Sequence, residues 1–265
     1  MKRALTDALI ITRRQLLLLR RVPEVLIFST IQPVMFVLLF RYVFGGSITA
    51  GMPGGYVQFL MPGIFVQTVA FTLAGTASGV AEDMTKGLID RYRSLPIARS
   101  ALVFGKTLGD STLNIVVLMT MGAAGYIVGW RPTSGLTKVL LAFIFLLGFG
   151  YSLSWIGIYI GLTAKDVRTV QNMSFLVTFP LTFLSNAFAP TTGMPRALQY
   201  FAEWNPVSTM VAATRELFGL KNSFGVTAGS FPSQHPLTMS FIYMIAIVAI
   251  FVPVSVNKYK NVARK

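Results

Sequence analysis

Residues 139–164 read VLLAFIFLLGFGYSLSWIGIYIGLTA, twenty-six positions without a charged side chain, between Lys138 and the tight charged stretch Lys165-Asp166-Val167-Arg168. A helix needs about 20 mostly apolar residues to cross a hydrocarbon core, so this run is long enough to span a membrane. The same test finds five more runs: Val25 to Phe44, Tyr56 to Ala81, Ser111 to Trp130, Thr169 to Pro190 and Leu237 to Val256. Between them lie short turn-forming stretches, Gly45 to Gly55 with Pro53 and Arg131-Pro132 to Lys138, each able to reverse the chain. The expected fold class is all-α, a polytopic membrane protein with six transmembrane helices.

Composition supports that reading. The 265 residues are 54% hydrophobic and only 12% charged, against roughly 25% charged in a soluble domain. The net charge of +14 is scattered between long uncharged runs, unlike the basic stripe of a nucleic-acid binder. There is no cysteine, which removes disulfides, thiolate metal sites and a thiol nucleophile. His235 is the one histidine, and it reads as a loop residue rather than a ligand.

Lys and Arg in short loops set membrane orientation. Assigning alternate sides, one side collects seventeen: Lys2, Arg3, Arg13, Arg14, Arg20 and Arg21, then Lys86, Arg91, Arg93, Arg99 and Lys106, then Lys165 and Arg168, and finally Lys258, Lys260, Arg264 and Lys265. The other side holds six: Arg41, Arg131, Lys138, Arg196, Arg215 and Lys221. Both termini are therefore expected in the cytoplasm. The first apolar run is too long for a signal-peptide core, and Ser47-Ile48-Thr49-Ala50 is a poor cleavage site, so this helix is expected to remain.

Three segments do not simply cross. Residues 1–22 place Leu5, Leu9, Thr12, Leu16 and Leu19 on one stripe with arginines displaced from it, as expected of an interfacial helix turning at Pro23. The loop Glu82–Lys106 carries eight charges; at about 3 kcal/mol each, burying them in lipid would cost on the order of 20 kcal/mol. It is expected in the cytoplasm, with a short helix ending before Pro96. Residues 191–235 hold five charges among many apolar side chains, as expected of short helices tucked into the outer leaflet and breaking at Pro195 and Asn205-Pro206. This divides the chain into the arm 1–22, a permease domain 23–257 and a basic tail 258–265.

Two stretches carry a family likeness. One is Glu82 to Lys106, with Gly87, Arg91, Arg93-Ser94-Leu95-Pro96-Ile97-Ala98-Arg99 and Gly105-Lys106. The other is Ser185-Asn186-Ala187-Phe188-Ala189-Pro190 followed by Trp204-Asn205-Pro206-Val207-Ser208 and Ala213-Thr214-Arg215. Over nearly its whole length the chain resembles a permease subunit of the type-2 ATP-binding-cassette exporters, the group that includes daunorubicin-resistance permeases. The resemblance implies a coupling helix between spans 2 and 3, with Glu82, Gly87, Arg91, Arg93, Ser94, Leu95, Pro96 and Arg99 contacting an ATPase. It also implies re-entrant outer helices between spans 5 and 6, and a bacterial cytoplasmic membrane. The implied assembly has two ABC ATPase subunits, which bind the ATP and Mg, and a second permease chain, identical or related.

The chain itself carries no nucleotide-binding motif and is not expected to be an enzyme. Gly105-Lys106-Thr107 lacks the glycine a phosphate loop requires five residues earlier, where Ser100 stands. No cofactor is expected on this chain. The resemblance puts the substrate path near spans 1, 2 and 5, making Phe28, Gln32, Phe36, Gln67, Asn172, Phe175, Phe179, Phe183 and Asn186 candidates to line it. Aromatic faces with a few amides suit a hydrophobic or amphipathic compound, such as a drug, an antibiotic or a lipid-like molecule. A polysaccharide or lipid-linked glycan exporter of the same plan is the alternative. An ion-coupled carrier would need ionisable groups within the spans, and the six runs contain none in their inner parts. The pairs Gly75/Gly79, Gly125/Gly129 and Gly157/Gly161 allow close helix approach, expected within the chain rather than between chains.

Overall fold

The computed structural model describes residues 23–44, 55–88, 99–163, 166–220 and 230–262, and among these every regular element is helical. The expected interfacial helix over 1–22 lies outside the described residues. Helix α1 (Pro23–Leu39) contains Pro33 and runs into a π-helical turn, Phe40–Phe44. Helices α2 (Tyr56–Ala70) and α3 (Thr72–Thr85) are interrupted only at Phe71 and form one apolar run of 30 residues. Then follow α4 (Arg99–Val128), α5 (Leu136–Gly161) and α6 (Val167–Phe183). After a 3-10 turn at Thr191–Gly193 come α7 (Arg196–Trp204), α8 (Pro206–Leu217), the single turn α9 (Phe231–Gln234) and α10 (Pro236–Val262).

Among the described residues, four helical stretches are long and apolar enough to cross a membrane: Tyr56–Thr85, Phe104–Val128, Leu136–Gly161 and Pro236–Tyr259. The other two expected spans differ. In the first, the apolar helix runs over Thr30–Val43. The fifth is not continuous to Pro190: α6 stops at Phe183, and Leu184 leaves the helical region at φ −89°, ψ 46°. Pro180 explains part of this, because it donates no amide hydrogen and weakens the last turn.

The third span also begins earlier than the charge pattern implied. α4 starts at Arg99, so Lys106 and Asp110 lie inside a helix whose apolar stretch starts at Phe104. This pair precedes the run Ser111 to Trp130 and stands near the start of the longer apolar stretch. Both side chains are largely buried, 13% and 15% exposed, because α3 offers them a hydroxyl and a glycine notch.

α2 forms the centre. Phe59, Leu60, Met61, Ile64, Phe65 and Val66 are all buried, so it is apolar all round, as a helix enclosed by others must be. Its Phe65 meets Trp130 at 5.3 Å and Phe143 at 5.6 Å, and Trp130 meets Phe218 at 4.9 Å. At the opposite end Trp155 packs edge-on to Phe104. α5 approaches α3 along Gly157 and Gly161: a β-carbon on Gly161 would lie 2.6 Å from the Ala77 carbonyl oxygen. That glycine pair packs within the chain, as expected.

Candidate functional site

Between α1, α2–α3 and α4 lies a half-open cavity of about 380 Å³. Gln32, Pro33 and Phe36 reach it from α1, Gln67 and Thr68 from α2, Thr72, Gly75 and Thr76 from α3 and Lys106, Asp110 and Asn114 from α4. Three residues expected on a substrate path, Gln32, Phe36 and Gln67, are thus brought together. The polar wall follows from spacing. Lys106, Asp110 and Asn114 recur every four residues on α4, as do Thr72 and Thr76 on α3, and residues four apart share one helix face. Thr76 Oγ1 donates to Asp110 Oδ2 at 2.6 Å, and Thr72 Oγ1 donates to Asn114 Oδ1 at 3.0 Å. Lys106 Nζ stands 4.0 Å from Asp110 Oδ1, and a β-carbon on Gly79 would collide with its ammonium at 2.6 Å. The side-chain amide nitrogens of Gln67 and Asn114 are buried without a hydrogen-bond partner.

Phe36 also belongs to an arch of six rings. It stacks on Phe40 at 6.1 Å, and Phe40 on Phe188 at 5.1 Å. From Phe188 the series returns down α6 through Phe183 (5.4 Å), Phe179 (4.3 Å) and Phe175 (5.0 Å). Phe175, Phe179 and Phe183 keep exposed faces, as does Asn172 beside them. Three further path candidates therefore join Phe36, through two rings not among those candidates, Phe40 and Phe188. Phe28 lies in α1.

Asn186 plays a different part. It is buried, its backbone amide donates to Ser208 Oγ at 3.3 Å, and its carbonyl accepts from Arg215 Nη2 at 2.8 Å. The broken end of α6 leaves carbonyls that need donors. Asn205 Nδ2 supplies Leu181 and Leu184, at 2.7 and 3.0 Å. Buried Arg215 supplies Asn186, Ala187 and the Phe59 carbonyl of α2, with its guanidinium 3.7 Å above the Phe59 ring. Asn205 also caps α8 through Oδ1, which accepts from Val207 N at 2.9 Å. The motifs around Asn186, Asn205 and Arg215, separated in sequence, are thus one polar clamp.

Residues 6–218 match the family described as ABC-2 type transporter. The chain belongs to that family. It is 34% identical over 248 residues, 94% of this chain and 84% of the relative, to the daunorubicin resistance ABC transporter permease protein DrrB1 of Streptomyces coeruleorubidus. It is 25% identical to the putative transport permease ycf38 of Cyanophora paradoxa, over 80% of this chain and 74% of the relative. It is also 25% identical to the inner membrane transport permease YadH of Escherichia coli K12, over 71% and 74% respectively. The protein is therefore an ABC-2 permease, a multi-pass membrane chain whose relatives are transport subunits.

In this ABC-2 permease the coupling candidates fall at the end of α3 and the start of α4. Glu82 sits in the last turns of α3 and pairs with Lys86 at 3.1 Å. Gly87 takes φ +65°, a left-handed turn that suits glycine. Arg99 opens α4, while Arg91, Arg93, Ser94, Leu95 and Pro96 lie outside the described residues. Asp110, Asn114, Thr72 and Thr76 are not among the residues expected from the sequence, although they stand at four-residue spacing on two helices. Lys106, whose charge signals a loop in the sequence, lies inside α4.

Proposed function

We propose that this chain is the membrane-spanning half of an ATP-driven exporter that moves a hydrophobic or amphipathic compound out of the cytoplasm. The observation that carries the reading is the half-open cavity at Gln32, Phe36 and Gln67, lined by apolar and polar side chains together, in a chain of the ABC-2 family. A cavity of this kind binds a molecule with both characters. A drug-like compound is favoured by similarity to a permease named for daunorubicin resistance. In this reading α1 and α6 complete a six-span bundle in a bacterial cytoplasmic membrane with both termini in the cytoplasm, an orientation supported by the excess of Lys and Arg on one side. The cavity's charged wall then lies in the cytoplasmic half, where a compound would load.

The energy comes from a partner. Two ABC ATPase subunits, holding ATP and Mg, dock on the connection between α3 and α4 in each of two permease chains, identical or related. Because that connection is short and tied to both helices, a push on it moves the walls of the cavity. Arg91, Arg93 and Arg99 provide charge for the docking contact. Inside-out vesicles carrying the permease and its ATPase test this. ATP-dependent uptake of a fluorescent amphipathic probe is expected with the native chain and is expected to be lost in Arg93→Glu while membrane insertion persists. Normal ATP-dependent uptake by Arg93→Glu would overturn the docking assignment.

A further inference from the structure

We infer that the cavity between α1, α2–α3 and α4 recognises its amphipathic ligand through an oxygen acceptor, a carbonyl or hydroxyl that takes a hydrogen bond from Gln67 Nε2, and not through charge. This deepens the export reading and rests on it for the site's purpose, though not for its chemistry. Gln67 lies well inside the 30-residue apolar run Tyr56–Thr85. It lines the cavity and is only 3% exposed, yet its amide nitrogen has no hydrogen-bond partner. Buried polar groups are almost always bonded, so one that is not calls for an explanation. A stranded donor costs free energy that a ligand oxygen restores on binding.

The other polar groups on the α2, α3 and α4 walls are engaged, turned away or compensated. The hydroxyls of Thr68, Thr72 and Thr76 donate to the Ile64 carbonyl, Asn114 Oδ1 and Asp110 Oδ2, at 2.8, 3.0 and 2.6 Å. Asn114 Nδ2 is also unpartnered, but it lies 3.0 Å from where a β-carbon on Gly150 would stand, against α5, which contributes nothing to the lining. Lys106 and Asp110, the ionisable side chains of the lining, carry opposite charges 4.0 Å apart, so together they favour neither sign of ligand. Selection falls to the Gln67 amide. The body of the ligand follows from its neighbours. Gln67, Phe71 and Gly75 recur every four residues, with Phe71 N donating to the Gln67 carbonyl and Gly75 N to the Phe71 carbonyl, and therefore share one face. Phe36, Leu113 and Val117 line the same space. Gly75 keeps the α3 wall open, with no atom within 4 Å of where its β-carbon would stand. A flat apolar body over Phe71 and Gly75, with its oxygen at Gln67, matches this order of groups.

The test measures binding alone, so it needs no ATPase. The full-length permease in lipid nanodiscs is titrated with prodan, an uncharged fluorescent naphthyl ketone, and with the analogue whose carbonyl is replaced by a methylene, each affinity referred to the probe's partition into empty nanodiscs. The native chain is expected to prefer the ketone by roughly tenfold, the scale of satisfying one buried amide donor. Gln67→Leu is expected to bring the two probes to equal affinity with Tm unchanged or raised, because it removes the stranded group as well as the donor. Gln67→Asn, which retains an amide, is expected to keep part of the preference. Equal affinity of the native chain for the two probes would overturn the inference without any variant, as would a preference that survives Gln67→Leu. A phospholipid ester offers the same oxygen, and nanodiscs of diether lipid separate the two sources. Tighter ketone binding there shows that a lipid carbonyl takes the Gln67 contact at rest, and unchanged binding leaves that contact to the transported compound. If the ketone preference is present but vesicles show no ATP-dependent transport, the export reading fails and the oxygen site stands. Transport without a ketone preference has the opposite meaning.

Discussion

The two faces of α3 use the same kind of residue for opposite ends. Toward α5 the contact is closed: β-carbons on Gly157 and Gly161 of α5 would run into the α3 backbone at Leu73 and Ala77. Toward α1 and α4 the contact is open. Gly75 faces empty space and Gly79 makes room for the Lys106 ammonium. Thr76 belongs to both faces, its Cβ 3.1 Å from the place of a Gly157 β-carbon and its hydroxyl on Asp110. A glycine spacing alone therefore does not say whether two helices touch; what fills the vacated space decides.

The sharpest way to break this contrast is to fill both faces. Gly157→Leu forces a side chain into backbone and is expected to destabilise the bundle by about 3 kcal/mol or more, seen as loss of a monodisperse peak and a lower Tm in detergent. Gly75→Ala, made in parallel, is expected to leave Tm unchanged or raise it, because alanine is the better helix former by up to about 1 kcal/mol. Equal damage from both would mean that the open face is not open.

The two ends of α6 extend the comparison from a buried clamp to an exposed cap. Arg215→Met leaves the carbonyls of Phe59, Asn186 and Ala187 without their guanidinium. A loss of about 3 kcal/mol is expected from stranding buried acceptors, again read from the Tm. Asp166 at the other end accepts from the Thr169 amide at 3.1 Å, and that bond, first among its causes, holds its carboxyl below the usual range. A lowered pKa means that the cap stabilises the helix above the unfolded value, about 3.9, and loses that effect as pH falls through the folded value. Asp166→Ala is thus expected to speed amide exchange at residues 167–170 only slightly at neutral pH. The difference from the native chain should vanish in acid. An effect as large as that of Arg215→Met would contradict the ranking.

Much of this was legible in the sequence. Uncharged runs located the long helices, and Pro195 and Asn205-Pro206 marked where α7 and α8 start, because proline and a capping asparagine act locally. Gln32, Phe36 and Gln67 were singled out and do line one cavity. What escaped depended on partners far along the chain. Lys106 reads as a loop residue in the sequence and nothing local singles out Asp110; Thr76 and Gly79 stand opposite them only in the fold. The hold that Ser208 and Arg215 take on the Asn186 backbone comes from residues 22 and 29 positions further on. The fifth apolar run looked like a full span, and its break after Phe183 is held by Asn205, 21 residues beyond Leu184.

The central claim, that this ABC-2 permease works with a separate ATPase, is tested most directly by affinity purification of the detergent-solubilised chain co-expressed with its chromosomal neighbours. Co-purification of an ABC ATPase in roughly equal amount is expected, with ATP hydrolysis stimulated by a hydrophobic or amphipathic compound. A chain that purifies alone, without ATPase activity under any of these conditions, would contradict it.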